Sequence, residues 1–526
     1  MTTYGYTPSG KLETITYQDS STVNFAYDVR DNLQSMQDSL GTTTYNLYDA
    51  ANRLKTVTNP YGLVVSYNYD AAGNITDITY PGSKMVHYTY DQLNRLDTVT
   101  INWLSKTANY DYDQTGALSR VDNFNGTWTS FGYDNAGRLT DIQNRKTDLS
   151  VLATYHFTLD NNGNRTFIDQ HEPLFPTLGA NTTNYTYNAK KSRLLTAGGT
   201  SFSYDDEGQT INKGGTTYSF DYEHRLTGVG SSYSYFYDGM GNRLKAVRSG
   251  VETRYLYDPK GNLLAETDNN DVITKYYIHG QGLLAMVTAS GQIYCYHFNA
   301  TGSTIAMTDS SQNVVNSYAY TPFGEIASQQ ETVAQPFKYV GQHGVMAEPN
   351  GLLYMRNRYY DSSTGRFISE DPSGFGGGDV NLYVYCNNNP VLLVDPTGLF
   401  NSETFFNGFS KFAQGTAGIA GSAALLTITD GAAWPIAVPA IFVSTSQASE
   451  GISGMIAGAI SSTPVTIPNT SLTYNVTLLA TADRNQATFN DSAVGLGVNT
   501  IKPHRTFVWV PPICCGRIIV FLTGMS

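Results

Sequence analysis

Two Asp-Pro-x-Gly segments stand 24 residues apart in this chain, Asp371-Pro372-Ser373-Gly374 and Asp395-Pro396-Thr397-Gly398. Two carboxylates brought side by side cannot both ionise easily, so one keeps its proton. Such a pair can activate water with one member and polarise a carbonyl with the other. A guanidinium beside them would orient a carboxylate or steady an oxyanion. The same tetrapeptide is also a good turn: Asp caps, Pro presets φ and Gly takes the last position. The residues alone leave both readings open.

The elements that must position these groups follow from a repeat. A Tyr-Asp pair, then a Gly/Asn turn, then Arg or Asn plus Leu, returns about every 21 residues, the mark of a repeat architecture. It is plain at Tyr27-Asp28, Tyr48-Asp49, Tyr69-Asp70, Tyr90-Asp91, Tyr133-Asp134, Tyr237-Asp238 and Tyr257-Asp258. Between the turns, runs such as Val64-Val65-Ser66-Tyr67-Asn68-Tyr69 alternate in the strand style. One repeat therefore reads as strand, turn, strand, turn. In the plain reading of the pair, Tyr packs and Asp caps the turn. In the sharper one, an aromatic-acidic ladder binds a carbohydrate or a cation. The regularity favours the first. The period drifts near Leu159-Asp160 and around His171 to Gly179, as loops inserted on one face of a solenoid would cause.

Composition agrees with a long β structure. Of 526 residues, 39 are Tyr and only 14% are charged, whereas a disordered chain would be poor in aromatics. A net charge of −12 without a basic stripe argues against nucleic-acid binding by the repeats. Four cysteines (Cys295, Cys386, Cys514 and Cys515) make no disulfide framework, and no zinc-type spacing is present, so no metal or other cofactor is expected. Met1 to Tyr6 lacks the charged and apolar regions of a signal peptide.

The densest motif precedes a break in composition. It runs from Gly351-Leu352-Leu353-Tyr354-Met355-Arg356-Asn357-Arg358-Tyr359-Tyr360-Asp361 through Gly365-Arg366-Phe367 to Asn387-Asn388-Asn389-Pro390 and Asp395-Pro396-Thr397-Gly398-Leu399. With the repeats before it, this junction resembles the Rhs/YD-repeat family, whose members include bacterial Rhs toxins, the C component of Tc toxins and teneurins. The resemblance covers residues 1–399. It implies a mainly β fold: a YD-repeat solenoid, one spiralling sheet forming all or part of a hollow shell. It implies three parts: repeats over 1–340, a core region over 341–399 that plugs the shell, and a variable C-terminal domain over 400–526. It further implies an aspartic-type self-cleaving protease that cuts after the last Leu, here at Leu399–Phe400. On that footing Asp371 and Asp395 are the catalytic carboxylates and Arg358 their charged partner. Asp379 and Arg366 stand in reserve, and Asp361 is foremost a turn residue. An immunity protein, and a partner for delivery or shell closure, are implied as well.

All but one Tyr lie before residue 400, and Gly, Ala, Ile and Ser take over after it. The stretch 405–460 reads as apolar and helical, with Gly454 and Gly458 at close-approach spacing. Its uncharged runs of about 18 residues only just suffice to cross a bilayer; membrane contact is one reading and a buried helix pair the other. Asp483, Arg484, Asp491, His504 and Arg505 are the polar candidates there, and no known effector motif is legible. The chain thus reads as a secreted or cell-surface toxin or toxin-encapsulating shell. Its rivals are a YD-repeat protein that binds carbohydrate or cell surfaces without proteolysis, and a displaced C-terminal remnant.

Overall fold

The structure is a computed structural model that describes residues 2–175, 178, 182–189, 192–374 and 379–399. Phe400, the apolar stretch 405–460 and the polar candidates Asp483, Arg484, Asp491, His504 and Arg505 lie outside the described residues.

Within each sheet, every strand pairs antiparallel with its neighbours in sequence. The result is two 16-stranded sheets, Thr3–Tyr6 to Arg165–His171 and Tyr185–Tyr187 to Ile326–Glu331, followed by a four-stranded sheet. Alternation does what the pattern predicts. In Val64–Tyr69, Val65 and Tyr67 are buried while Val64 and Asn68 face out.

The Tyr-Asp pair has the plain role. Asp49 Oδ1 accepts the backbone N–H of Ala51 at 2.9 Å and of Arg53 at 3.0 Å, while Arg53 Nε donates to Oδ2 at 2.6 Å. Those bonds, led by the Arg53 amide, hold the Asp49 carboxyl below its ordinary range. The third turn residue, Asn52, sits at φ 59°, where Asn or Gly is favoured. The tyrosine joins repeats. The hydroxyls of Tyr48, Tyr69 and Tyr90 donate to the carbonyls of Leu33, Leu54 and Ile75 at 2.6, 2.7 and 2.9 Å, each in the preceding repeat. Arg53 lies over the Tyr69 ring, 4.7 Å from its centroid.

The two large sheets stack in the same order. Tyr17 donates to Glu223, Gly239 N–H to Asp38, Tyr80 to the Tyr277 carbonyl, Asn125 to Thr308 and Thr147 N–H to Gln312. The separation along the chain falls from 206 residues at Tyr17 to 165 at Thr147, and is 154 where Asn144 meets the Phe298 carbonyl. A strip whose later part follows its earlier part in the same order is winding over itself. The small sheet, Met346–Ala347, Leu352–Met355, Arg358–Asp361 and Arg366–Phe367, packs on the second winding through Tyr354, Tyr359 and Ile368.

Substituting Tyr69→Phe removes one bond between repeats and leaves the ring. We expect a loss of about 1 kcal/mol, read as a lower urea midpoint. An unchanged midpoint would mean that the hydroxyl bond does not hold register.

Candidate functional site

Three segments converge on one buried guanidinium. Strand Arg358–Asp361 supplies Arg358, whose side chain is 3% exposed. The turn after strand Arg366–Phe367 supplies Asp371, fastened by its own N–H to the Leu382 carbonyl at 3.0 Å. The chain then reverses through Cys386, Asn387 and Asn388, all with φ between 50° and 58°, a left-handed run uncommon outside glycine. That reversal returns Asp395 to the same place.

Arg358 Nη2 stands 2.8 Å from Asp371 Oδ2 and 3.6 Å from Asp395 Oδ2. Its Nη1 donates to the Leu382 carbonyl at 2.9 Å, and its Nε donates to the Gly398 carbonyl. Phe367 lies flat against the guanidinium, its centroid 3.6 Å from Cζ. Asp395 Oδ1 accepts Gly398 N–H at 2.7 Å, Thr397 Oγ1 at 3.2 Å and Leu399 N–H at 3.3 Å. Asn357 grips Thr397 as well: its N–H and its Nδ2 donate to that carbonyl at 3.3 and 3.1 Å. Residues 397–399 are thereby laid against the turn that carries Arg358. Gly398, at φ 71°, has no room for a side chain, because a Cβ would press on Met355 O and Arg358 Cβ.

Burial pushes Asp371 up to about 6, with Arg358 pulling it down and Asp395 raising it. Asp395 is raised too, chiefly by burial, against the pull of Arg358 and the Gly398 and Leu399 amides. Burial draws Arg358 down, yet a guanidinium keeps its charge. One cation therefore faces two buried carboxyls, both raised, whose titrations are coupled. The cleft has space for a water molecule and is walled by Asp379, Asn381, Val384, Cys386 and Asn387 among others.

Of the residues named from the sequence, the structure brings Asp371, Asp395 and Arg358 together. Asp379 lines the same cleft, its Oδ1 taken by Asn381 N–H at 2.7 Å. Arg366 does not join them. It bonds the Ser192 carbonyl and Asn381 Oδ1, and lies against Tyr187 and Tyr383, tying the junction to the second winding. Asp361 closes a turn with Ser363 and pairs with Lys213 at 2.6 Å. Sequence reasoning missed Leu382, whose carbonyl holds both Arg358 and the Asp371 backbone. It also missed Cys386 in the cleft wall; three consecutive Asn were a faint sign of the bend there.

Comparison with known proteins agrees with this architecture. The teneurin YD-shell family matches residues 129–391, and the RHS repeat matches 27–66, 48–85 and 69–105. A wound strip of Tyr-Asp hairpins closing on this cleft defines a YD-repeat shell protein. The chain belongs to the Rhs/YD-repeat family. It is 29% identical to the tRNA3(Ser)-specific nuclease WapA of Bacillus spizizenii, over 58% of this chain and 15% of that protein. It is 27% identical to the double-stranded DNA deaminase toxin A of Burkholderia cenocepacia, over 56% of this chain and 22% of that one. The chain therefore spans under a quarter of either relative. Among solved structures, the TcdB2-TccC3-TEV crystal structure shares the fold, with TM-score 0.59 and 17% identity over 76% of this chain and 26% of that one.

The raised carboxyl has a thermodynamic consequence. The folded chain holds the Asp371 proton more tightly than the unfolded chain does. The stability this confers is complete below about pH 3.8 and is lost as pH climbs through about 6. A rise of that size corresponds to roughly 3 kcal/mol. Asp371→Asn should flatten the fall in thermal midpoint across that window. A variant that falls as steeply as the parent would assign the slope to other groups.

Proposed function

We propose that this chain is the shell and core segment of a polymorphic toxin, and that its junction cuts itself once, after Leu399. The observation that carries the reading is the placement of Arg358 between Asp371 and Asp395, while Asp395 also holds the Leu399 N–H. Water in the cleft loses a proton to the ionised carboxylate and attacks the Leu399 carbonyl carbon. The protonated partner donates toward the carbonyl oxygen, and the C–N bond to Phe400 then breaks. The carboxyl that took the proton from water returns it to the nitrogen, which leaves as an amine, and Leu399 becomes a new carboxylate. Arg358 keeps one negative charge on the pair tolerable in a buried site. The attached peptide is presented at high effective concentration, so even a cramped cleft can act. Because the scissile bond belongs to the same chain and the new Leu399 carboxylate stays beside Asp395, the reaction is a single turnover.

On this reading, residues 1–340 form the shell, 341–399 the core, and 400–526 the released effector, whose activity is a separate question. The named toxins among the relatives support an effector role and, with it, an immunity protein, a delivery or shell-closing partner, and a secreted or cell-surface location.

Intact mass of chain prepared near neutral pH tests the cleavage. Two fragments meeting at Leu399–Phe400 are expected, with cleavage lost in both Asp371→Asn and Asp395→Asn. Arg358→Met should abolish it too and cost about 3–5 kcal/mol in stability, since two buried carboxylates lose their partner. A single uncut mass from the parent chain would remove the protease assignment.

A further inference from the structure

The largest fully buried side chain among the described residues belongs to a charged residue, Arg243. It stands on strand Arg243–Arg248 of the second winding, outside the cleft. Its Nη1 donates to Glu348 Oε1 and to the Tyr359 hydroxyl, both at 2.7 Å. Its guanidinium also lies over the Tyr354 ring, 4.1 Å from the centroid. Arg248 adds two bonds to Glu348, at 2.7 and 2.8 Å. Burial pushes the Glu348 carboxyl up, but the two guanidiniums overcome this and hold it below the usual range. Glu348 and Tyr359 both belong to the junction, so charges from the winding reach across to hold it.

Such a cluster is a costly way to glue two surfaces. Apolar side chains of the same volume are often as stabilising. What charge adds is direction, since the bonds at Arg243 fix where Tyr359 lies. Tyr359 follows Arg358 on one strand, and neighbouring residues of a strand point to opposite faces. Tyr359 faces Arg243, and Arg358 faces the carboxylates. Any displacement of Tyr359 is passed to Arg358, whose Nη2 has little latitude at 2.8 and 3.6 Å from its two partners.

We propose that Arg243 and Glu348 are positioning residues for the carboxylate pair, setting the depth of strand Arg358–Asp361 so that Arg358 sits between Asp371 and Asp395. The inference rests on the self-cleavage reading. It makes cleavage conditional on the second winding: a junction not yet seated on Arg243 has its carboxylates without a placed guanidinium.

The pH profile of cleavage distinguishes positioning from bulk support. The charged and titratable groups that face Arg358 are Asp371, Asp395 and Cys386, with Asp379 at the cleft wall. Arg358 pulls both aspartates down. If it backs away, both rise, and the profile moves to higher pH. Loss of fold lowers the amount of competent chain but leaves the profile in place.

The test dilutes full-length chain from urea into a series of buffers and follows cleavage by intact mass. Tyr359→Phe deletes only the hydroxyl. That hydroxyl bonds both Arg243 and the Tyr237 hydroxyl, so cleavage should slow about 3- to 10-fold for each bond lost and the profile should move upward. The double variant Arg243→Met/Glu348→Leu replaces the charges with apolar groups. It should keep the β circular dichroism of the parent, yet cleave more slowly with the same upward move. Parent-like rate and profile in Tyr359→Phe would overturn the proposal, and that variant decides alone if the double variant does not fold. A parent chain that never cleaves overturns the self-cleavage reading itself, and this proposal with it.

Discussion

Everything in this molecule hangs on strand register. A strand that slips by one residue turns its buried face to solvent, and a strip of 16 strands multiplies the chances of a slip. The Tyr-Asp pair guards against this with local bonds. The aspartate locks its turn by taking the amides two and four residues on, as at Asp28, Asp91 and Asp134. The tyrosine hydroxyl reaches the carbonyl of the preceding repeat, as Tyr27 does to Leu12 and Tyr133 to Leu118. Each bond is worth only about 1 kcal/mol. Repeated along a chain whose neighbours touch mainly neighbours, such terms add nearly independently.

Register alone makes a ribbon. The winding comes from contacts between distant turns. Tyr17 stacks on Tyr222, and Tyr80 meets Tyr276 edge to face. Gly239 sits so close to Val23 and Met36 that a side chain there would collide with them. Tyr80 and Tyr276 belong to a core drawn from both windings, which includes Val65, Tyr67, Val99, Ile278 and Ala285, while Val23 and Met36 belong to a smaller cluster. The junction is then seated by charges instead of apolar surface alone: Lys213 to Asp361, Arg193 to Glu370, Arg243 and Arg248 to Glu348. A buried ion pair is a poor source of net stability and a good source of geometry. That suits a site where one guanidinium must serve two carboxylates and two carbonyls at once.

The low charge content of the chain makes the interior charges more telling. Burial raises both cleft aspartates, while turn aspartates such as Asp28 and Asp113 are lowered, chiefly by side-chain bonds from Asn32 and Thr115. The same residue type thus does two jobs. In the turns its carboxylate accepts amides at the surface; in the cleft it is buried beside a second carboxyl and a guanidinium. Environment decides which.

The repeats, their turns and the junction were legible in the amino-acid sequence because their bonds span four residues or one period. Asp49 finds the Arg53 amide whatever the rest of the chain does. Asp371, Asp395 and Arg358 could be named from the junction motif, but not their distances, nor that Arg366 turns away to Ser192 and Tyr187. Tertiary structure alone decided that Arg243 meets Glu348 across 105 residues, that Leu382 lends its carbonyl to Arg358, and that one winding follows the other at separations from 206 down to 154. Such contacts have no period and no local signature. They depend on the curvature accumulated over many hairpins, which single residues do not encode.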